Sequence, residues 1–401
     1  MANKHILYIS WQGAMGHVIR DLAIARELHR MNPEVDISWM AHPLASKEIV
    51  QADEKLLPES TQVADYNLAG LQAVSGFRLN LIKYSRLYKK SAIQNFKLFE
   101  QVMAKYHFDL VIGDEIYGII RAMTEDQIQL TSPMIMIEDF IGHEAMSNNP
   151  LEKLIAHQRN RLFVHAFKRL YPQLTHLFVG ELEDVPDRRY GIFLPNRREF
   201  AKKYYHFLGY IVRFNPDEYT DKAKIRAKLG YGEEPLVICA TGGTAAGLEM
   251  LELCGKAYPT LKAKIPDLHM IFVCGDLFGL NPPQLPSGAE LYNYIPDIYE
   301  HYAACDLAVV VGGGTTTIEL TALRKPFIFF PLENQFDQQL NIADRIARHR
   351  TGVKMRYYET TPELLAQTIM DNIGKEVETM PIRIDGAQKA AQLICELLDG
   401  K

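Results

Sequence analysis

The chain has 401 residues, of which 47% are hydrophobic and 23% are charged, a composition typical of a folded globular protein. This length suffices for two or three domains, each with a hydrophobic core of its own. The net charge of −5 gives no general reason to expect a nucleic-acid partner, and no apolar run approaches the roughly 20 residues of a transmembrane helix.

The five cysteines form no CxxC pair and lie in apolar segments, which is typical of buried, reduced thiols in a cytosolic protein. The chain enters the strand-like run HILYIS (residues 5–10) without the basic and apolar regions of a signal peptide. We therefore expect a cytoplasmic protein.

The first half of the chain alternates short apolar runs with helical stretches. In chain order the strand-like runs are HILYIS, DISWMA, LVIGD, PMIMIED and HLFVGE, and the predicted helices cover residues 17–31, 78–105 and 151–170. Near-continuous apolar strands separated by helices predict a parallel sheet that is covered on both faces.

Residues 182–218 are charged and contain three prolines, so we interpret them as a linker and the enclosed run YYHFLGYIV as the hinge. A second alternation follows, with the runs PLVICAT, HMIFVCG, ELYNYI, LAVVVG, PFIFFP and GVKMR. The sequence thus predicts an α/β protein with two Rossmann-like, doubly wound domains facing across a cleft. We place the first domain at 1–195, the second at 205–378, and a final helix within 379–401.

Open α/β sheets bind ligands where their strands end, and the first such place is WQGAMGHVIRDL, with Gly13, Gly16 and His17 at the start of a helix. The positive end of a helix favours the neutral imidazole, which can act as a base, although a capping or packed His17 is the structural alternative. Another strand ends at Asp114 in LVIGDEIYG. If the two loops adjoin, Asp114 can orient the His17 ring, a contact that sequence spacing leaves open.

Two glycine-rich loops follow strands of the second half, ATGGTAAG (240–247) and VVVGGGTTTIEL (309–320). Glycines let backbone N–H groups approach a phosphate, and the following helix directs its positive end at the same place. A tight turn with a threonine cap is the structural alternative, but three glycines exceed what it requires. Neither loop is a Walker motif or a GxGxxG fingerprint.

Downstream of Pro331, Asp337 and Gln338 pair a carboxylate with an amide, a combination suited to sugar hydroxyls. By themselves they are better explained as the polar start of an amphipathic helix.

The combination resembles the nucleotide-sugar-dependent glycosyltransferases of the two-Rossmann GT-B architecture. It is most similar to the macrolide and plant UDP-glycosyltransferase group and to the bacterial lipid-intermediate N-acetylglucosaminyltransferase. GAMGHVIRDLAIARELHR resembles the N-terminal Gly-His loop of that family, and GYIVR resembles its second-domain entry strand. The donor-binding signature is carried by YNYIPDIYEHYAACDLAVVVGGGTTTIELTALRKPFIFFPLENQFDQQLNIADRI.

The resemblance implies a role for each matching residue. The catalytic base falls on His17 and its orienting acid on Asp114, beside the acceptor-side glycines 13 and 16. The donor residues are Gly242, Gly243 and Thr244 in one loop, Ile295 at the nucleobase, Gly312, Gly313, Gly314, Thr315, Thr316 and Thr317 at the diphosphate, Glu319 at the ribose, and Asp337 and Gln338 at the sugar. The resemblance also implies that the final helix crosses back to the first domain.

Two departures from the family pattern affect the donor site. Val311 stands where the family has a diphosphate-binding His or Arg, so Thr315 or Thr316 has to replace one contact. The span from Pro331 to Asp337 is longer than usual, so Glu333 or Gln335 can also face the donor. The sequence contains no D-x-D metal motif, and we expect an inverting transfer from a nucleotide-sugar co-substrate without metal or other cofactor.

The acceptor is expected to be a hydroxyl group on a lipid or a small molecule. Residues 78–105 carry seven Lys/Arg against one acid, and residues 153–171 are basic without any acid. Such helices can lie on an anionic membrane, although a solvated basic face over an ordinary core explains each one separately.

Two further functions remain open at this point. The first is a nucleotide-sugar 2-epimerase or hydrolase, which shares the architecture and leaves His17 without a role. The second is a catalytically silent homologue acting as a binding or activator subunit, which the Val311 substitution keeps possible.

Overall fold

The computed structural model describes residues 4–11, 15–129, 132–171, 173–242, 247–275 and 281–400. The strands are β1 (His5–Ser10), β2 (Asp36–Ala41), β3 (Lys55–Leu56), β4 (Val74–Ser75), β5 (Arg78–Leu79), β6 (Leu110–Asp114), β7 (Met134–Glu138), β8 (Leu174–Val179), β9 (Tyr205–Gly209), β10 (Leu236–Ala240), β11 (His269–Val273), β12 (Glu290–Tyr292), β13 (Leu307–Val311), β14 (Phe327–Phe330) and β15 (Val353–Lys354).

The helices are α1 (Met15–Met31), α2 (Pro43–Gln51), α3 (Tyr66–Ala73), α4 (Leu81–Lys105), α5 (Tyr117–Thr124), α6 (Pro150–Leu170), α7 (Arg197–Tyr204), α8 (Lys222–Leu229), α9 (Leu248–Lys264), α10 (Ile298–Ala304), α11 (Gly314–Ala322), α12 (Ala343–Arg348), α13 (Pro362–Asn372) and α14 (Gly386–Leu398). A π-helical turn, Asp337–Ile342, leads into α12. Among the described residues, no helix combines the length and apolarity needed to cross a bilayer.

The chain divides into two compact units. Unit 1 comprises residues 1–70, 81–213 and 383–401, and unit 2 comprises 71–80 and 214–382. Unit 1 contains a parallel sheet in the order β3-β2-β1-β6-β7-β8-β9, and unit 2 a parallel sheet in the order β12-β11-β10-β13-β14-β15. The central strands are buried along their whole length, as their apolar sequences predict.

The boundary expected between residues 195 and 205 is wrong, because β9 belongs to the first sheet. Its residues pair in parallel with β8, so the run interpreted as a hinge completes unit 1. Unit 2 begins again at residue 214. Consecutive elements usually lie next to each other in space, and β9 accordingly joins the sheet that precedes it. The local sequence of such a short apolar strand does not show which of the two sheets it joins.

The final helix lies in unit 1, where α14 packs against α1 and β9. The chain enters it through backbone hydrogen bonds, with Tyr210 N–H donating to the carbonyl oxygen of Arg383 at 2.7 Å and Gly386 N–H donating to that of Tyr210 at 3.1 Å. The cysteines are free thiols, and four are buried while Cys395 is half-buried.

The helix expected over residues 78–105 begins only at Leu81. The residues before it form a small antiparallel hairpin of β4 and β5, which belongs to unit 2. Arg78 of this hairpin also forms a bridge with Glu333, far away in the chain, and the local basic and apolar pattern could not reveal that contact.

Candidate active site

His17 and Asp114 meet in unit 1, at the ends of the neighbouring strands β1 and β6. His17 is the third residue of α1, and its Nδ1 lies 3.0 Å from Oδ1 of Asp114, the last residue of β6. Asp114 is fully buried, whereas the imidazole retains 17% of its accessible surface. This is the contact that sequence spacing left open, and it leaves Nε2 as the ring nitrogen able to accept a proton.

Arg20, one turn further along α1, clamps the same carboxylate. Its Nε donates to Oδ2 of Asp114 at 2.7 Å and its Nη2 to Oδ1 at 2.6 Å, while Nη1 donates to Asp139 at 2.5 Å. Nη2 also lies 2.9 Å from His17 Nδ1. Two N–H donors cannot bond to each other, so we assign the Nδ1 proton to Asp114 and treat the arginine–histidine approach as a contact.

The Arg20 clamp sets the charge of the acids around it. Burial alone would raise the pKa of Asp114, but Arg20 and His17 outweigh it and hold that pKa well below its usual range. Burial, followed by the charges of Asp139 and Asp114, raises the pKa of Glu115 well above its usual range. Asp114 is therefore ionised beneath the imidazole, while the surroundings of Glu115 favour its protonated form.

His42 is a residue of this site that the sequence analysis missed. It follows β2, is fully buried, and neither ring nitrogen has a hydrogen-bond partner within the described part of the chain. Burial, with a smaller contribution from His17, lowers the pKa of His42 to about 4, so the ring is neutral at physiological pH. Its position directly after a strand of the first sheet was the available signal.

One group of side chains in unit 1 has the composition of a metal site. Ligand atoms of His17, Asp114 and Glu115 lie within 4.8 Å of one another. However, both oxygens of Asp114 already accept from Arg20, and a guanidinium at 2.6–2.7 Å repels a cation. Since burial and the neighbouring carboxylates also raise the pKa of Glu115 and favour its protonated form, the donor set does not fit a divalent ion.

In unit 2, the first glycine-rich loop is described only at its ends. Gly242 has φ +94°, and so has Gly247, the residue before α9. These left-handed conformations require glycine. Gly243 and Thr244, as well as Gly13 in unit 1, lie outside the described residues, whereas Gly16 lies in α1.

The second glycine-rich loop joins β13 to α11. Gly313 is the N-cap with φ −73°, so the threonine cap that was the structural alternative for this loop is not formed. Thr317 is buried, and its hydroxyl donates to the carbonyl oxygens of Gly313 and Gly314 within its own helix. Gly312 is packed against Pro331, and a Cβ there would lie 3.2 Å from the proline Cα. The open backbone of this loop is therefore at Gly313.

Thr315 and Thr316 are half-buried in the first turn of α11 and remain available for a phosphate, whereas Glu319 is only 2% exposed. A buried cation that the sequence analysis did not single out lies beside them. Nη2 of Arg345, from α12, approaches the carbonyl oxygen of Gly314 at 3.4 Å. This arginine is 8% exposed and brings positive charge to the loop in which Val311 brings none.

The remaining residues that the sequence resemblance assigns to the donor lie in the same unit. Oε1 of Gln338 accepts from the backbone N–H of Leu332 at 2.8 Å, and Asp337 accepts from Asn341 at 3.0 Å, so both side chains stabilise the π-helical turn. Single π-turns occur often at functional sites. Ile295, expected at the nucleobase, is a buried residue between β12 and α10.

Comparison with known proteins supports an assignment of the fold and of the class of enzyme. Residues 237–394 match the glycosyltransferase family 28 C-terminal domain. An uncharacterised glycosyltransferase of Methanopyrus kandleri is 26% identical over 195 residues, which cover 48% of this chain and 54% of that protein. The UDP-N-acetylglucosamine–N-acetylmuramyl-(pentapeptide) pyrophosphoryl-undecaprenol N-acetylglucosamine transferase of Carboxydothermus hydrogenoformans is 25% identical over 156 residues, 38% of this chain and 42% of that protein. The chain thus aligns with about half the length of these relatives.

Among solved structures, the glycotransferase of kitacinnamycin matches with a TM-score of 0.62 and 16% identity, covering 99% of each chain. At this identity the likeness shows the fold, which is the two-Rossmann GT-B fold expected from the sequence. The domain match and the relatives together support a glycosyltransferase with this fold.

Proposed function

We propose that the protein is an inverting, metal-independent glycosyltransferase that moves a sugar from a UDP-sugar to a hydroxyl group of a lipid or small-molecule acceptor. The observation that carries the proposal is the hydrogen bond between His17 Nδ1 and the buried, ionised Asp114. It orients the imidazole with Nε2 as a base, the arrangement that deprotonates a hydroxyl nucleophile. UDP is chosen because the Carboxydothermus relative is named for a UDP-sugar donor.

In the proposed reaction, the acceptor oxygen attacks the anomeric carbon of the donor while its proton passes to Nε2 of His17. The bond from the anomeric carbon to the diphosphate oxygen breaks, and its electron pair leaves with the nucleoside diphosphate. Attack from the face opposite the leaving group inverts the anomeric carbon. General-base assistance of this kind contributes about a hundred- to ten-thousandfold.

The leaving diphosphate requires compensating positive charge. The open backbone at Gly313, the N-terminus of α11 and the hydroxyls of Thr315 and Thr316 supply fixed dipoles at this place. Arg345 adds a formal charge close to the same turn. These groups support a donor site that works without a divalent cation.

The test is incubation of the protein with UDP-sugars in the absence of any acceptor. Slow release of free UDP with an unchanged sugar supports the transferase, because water then replaces the acceptor. A new sugar epimer would establish the epimerase instead, and the absence of any nucleotide binding would leave a silent homologue. A thermal-shift panel of UDP, dTDP and GDP identifies the base, since a ligand at a hundred times its Kd stabilises the native state by about 2.7 kcal/mol.

A lipid acceptor is supported by the surface of α4 and α6 in unit 1. Aromatic residues on the inner sides of these helices, such as Phe99 and Phe167, are buried in the core. Other apolar side chains are exposed instead, namely Ile82, Ile93, Leu151, Leu154, Ile155 and Leu162. The same two helices carry exposed cations: Lys83, Arg86, Lys90, Lys97, Arg159 and Arg161.

The two helices share this surface, because Arg159 on α6 donates to the Ser85 hydroxyl on α4 at 2.6 Å. Apolar side chains among cations fit the interface of an anionic membrane. We expect the protein to sediment at low salt with vesicles containing phosphatidylglycerol, and a Leu151→Ser, Leu162→Ser variant to lose this binding. Leu364→Ser, at an exposed leucine of unit 2, is the control. Equal sedimentation of both variants would exclude this surface.

A further inference from the structure

A ten-residue segment within the sequence of the first domain is built into unit 2. Residues 71–80, called the arm below, comprise the end of α3 and the hairpin that precedes α4, but they cluster with unit 2. The arm forms the hairpin of β4 and β5, whose turn contains Gly76 at φ +57° and Phe77. Neither the family match at 237–394 nor any predicted site residue includes the arm.

Phe77 anchors the arm in the core of unit 2. Its side chain is fully buried, and it stacks on Tyr357 with ring centroids 4.7 Å apart and planes inclined by 20°. It also meets Phe330, the last residue of β14, edge to face at 6.5 Å. Aromatic pairs of this geometry add to the stabilisation from burial alone, so the arm is held firmly.

The backbone of the arm holds the segment that follows β14. The N–H of Leu79 donates to the carbonyl oxygen of Glu333 at 3.0 Å, and the N–H of Glu333 donates to that of Phe77 at 3.1 Å. The N–H of Phe77 donates to the hydroxyl oxygen of Tyr358 at 3.1 Å. The arm thus acts as a short edge strand that fixes residue 333 in the span between Pro331 and Asp337.

Phe77 also lies against the end of the first glycine-rich loop. A Cβ atom at Gly247 would be 3.1 Å from Cε2 of Phe77 and 2.7 Å from Cγ2 of Val311. Phe77 and Val311 belong to the same apolar cluster. This packing explains why valine stands at position 311, because a charged His or Arg there would be buried against the phenyl ring of Phe77.

We propose that the arm is a positioning element of the donor site, with Phe77 as the residue that fixes both donor loops. The inference rests on the proposed function, which assigns these loops to the nucleotide-sugar. The Phe77 side chain packs beside Gly247 and Val311. The backbone hydrogen bonds of the arm hold Glu333. The arm therefore presets the loops for the donor and has no direct part in the chemistry.

The test compares Phe77→Ala with Leu365→Ala. Leu365 is a fully buried residue of α13 in the same core, so both variants lose buried side-chain atoms and stability. Because a misplacement of about 1 Å can cost up to a hundredfold, we expect Phe77→Ala to raise the Kd for UDP, measured by calorimetry, about tenfold or more. The donor KM should rise in parallel with an unchanged acceptor KM. Leu365→Ala should leave both values as in the wild type, and an equal Kd for the two variants overturns the proposal.

If Phe77→Ala does not fold, Tyr358→Phe replaces it. This tyrosine is 54% exposed, and its hydroxyl accepts from the arm, so the substitution loosens the arm without opening the core. We expect a rise in the Kd for UDP of less than tenfold for Tyr358→Phe. Where Phe77→Ala does fold, Phe77→Leu should restore part of the binding lost in the alanine variant. An unchanged Kd in Tyr358→Phe counts against the arm. Failure of the wild type to bind any nucleotide would instead refute the proposed function.

Discussion

At the scale of single residues, buried charges around His17 decide what its imidazole can do. Arg20 uses all its nitrogens on Asp114 and Asp139, which keeps the acid beneath the imidazole ionised. An ionised Asp114 stabilises the imidazolium that forms when Nε2 takes a proton. The proposed base thus depends on three chain segments, namely α1, the end of β6 and Asp139.

His17→Ala should abolish transfer while leaving donor binding intact. The imidazole lies in unit 1, whereas the proposed donor loops lie in unit 2, so the Kd for UDP has no reason to change. We expect turnover to fall by about a hundred- to ten-thousandfold. Turnover is measured as UDP release in the presence of acceptor, and His29→Ala, at a half-buried histidine in the last turn of α1, serves as the control. Unchanged turnover would remove His17 from the mechanism.

Glu115 gives unit 1 a characteristic dependence of stability on pH. Its raised pKa means that the folded protein keeps a proton which the unfolded chain releases near its usual pKa of about 4.3. Stability therefore falls as pH rises from that value towards the raised folded pKa. Glu115→Gln mimics the protonated acid, so the variant should gain on the wild type by up to about 1.4 kcal/mol per pH unit.

The fluorescence of the two tryptophans reports this transition, because Trp11 and Trp39 are both buried in unit 1. Urea unfolding is followed from pH 4.5 upwards for wild type, Glu115→Gln and the exposed control Glu34→Gln. If the free energy of unfolding depends on pH in the same way in all three proteins, Glu115 is ionised in the folded state and the expectation is wrong.

At the scale of elements, two neighbouring glycines before α11 differ in what they are needed for, one for packing and one for the proposed ligand. Gly312 is needed for packing against Pro331. Gly313 has φ −73°, and no atom of the described residues lies within 4 Å of the position that a Cβ would take there. Alanine at 313 is therefore compatible with the fold, and its methyl group occupies the space through which a phosphate approaches the backbone. The same loop thus contains one structural glycine and one that the proposed ligand requires.

Gly313→Ala should change the free energy of unfolding by no more than about 0.5 kcal/mol and weaken UDP binding about tenfold. Calorimetric titration and thermal unfolding measure the two effects separately. Gly70→Ala, at a position of α3 with equally open space, is the matched control and should bind UDP normally. Normal binding by Gly313→Ala would place the diphosphate elsewhere.

At the scale of the whole molecule, chelation distinguishes fixed dipoles from a bound cation as the source of leaving-group stabilisation. The sequence contains no D-x-D motif, and the one described group of metal-ligand type has its aspartate occupied by Arg20. We expect EDTA to leave turnover unchanged, with a metal-dependent glycosyltransferase assayed in parallel as the control. Loss of turnover that Mg²⁺ or Mn²⁺ restores would contradict this expectation.

Much of the molecule could be predicted from local sequence. The apolar runs at 110–114 and 307–311 became buried central strands, and the final helix covers 386–398 as expected, because continuous apolar strands and amphipathic helices are encoded by neighbouring residues. The Gly-His loop and the GGGTTT segment indicated the GT-B class for the same reason, since both motifs are contiguous in the chain.

Only the tertiary structure decided which distant segments meet. Arg20 and Asp114 are 94 positions apart, and Phe77 and Tyr358 are 281 apart, so no local pattern encodes either contact. The same holds for β9, which joins the first sheet, and for Thr317, whose hydroxyl turns back into its own helix. Local patterns determine strands, helices and motifs, whereas burial and pairing between remote segments determine the charges of the base and the support of the loops.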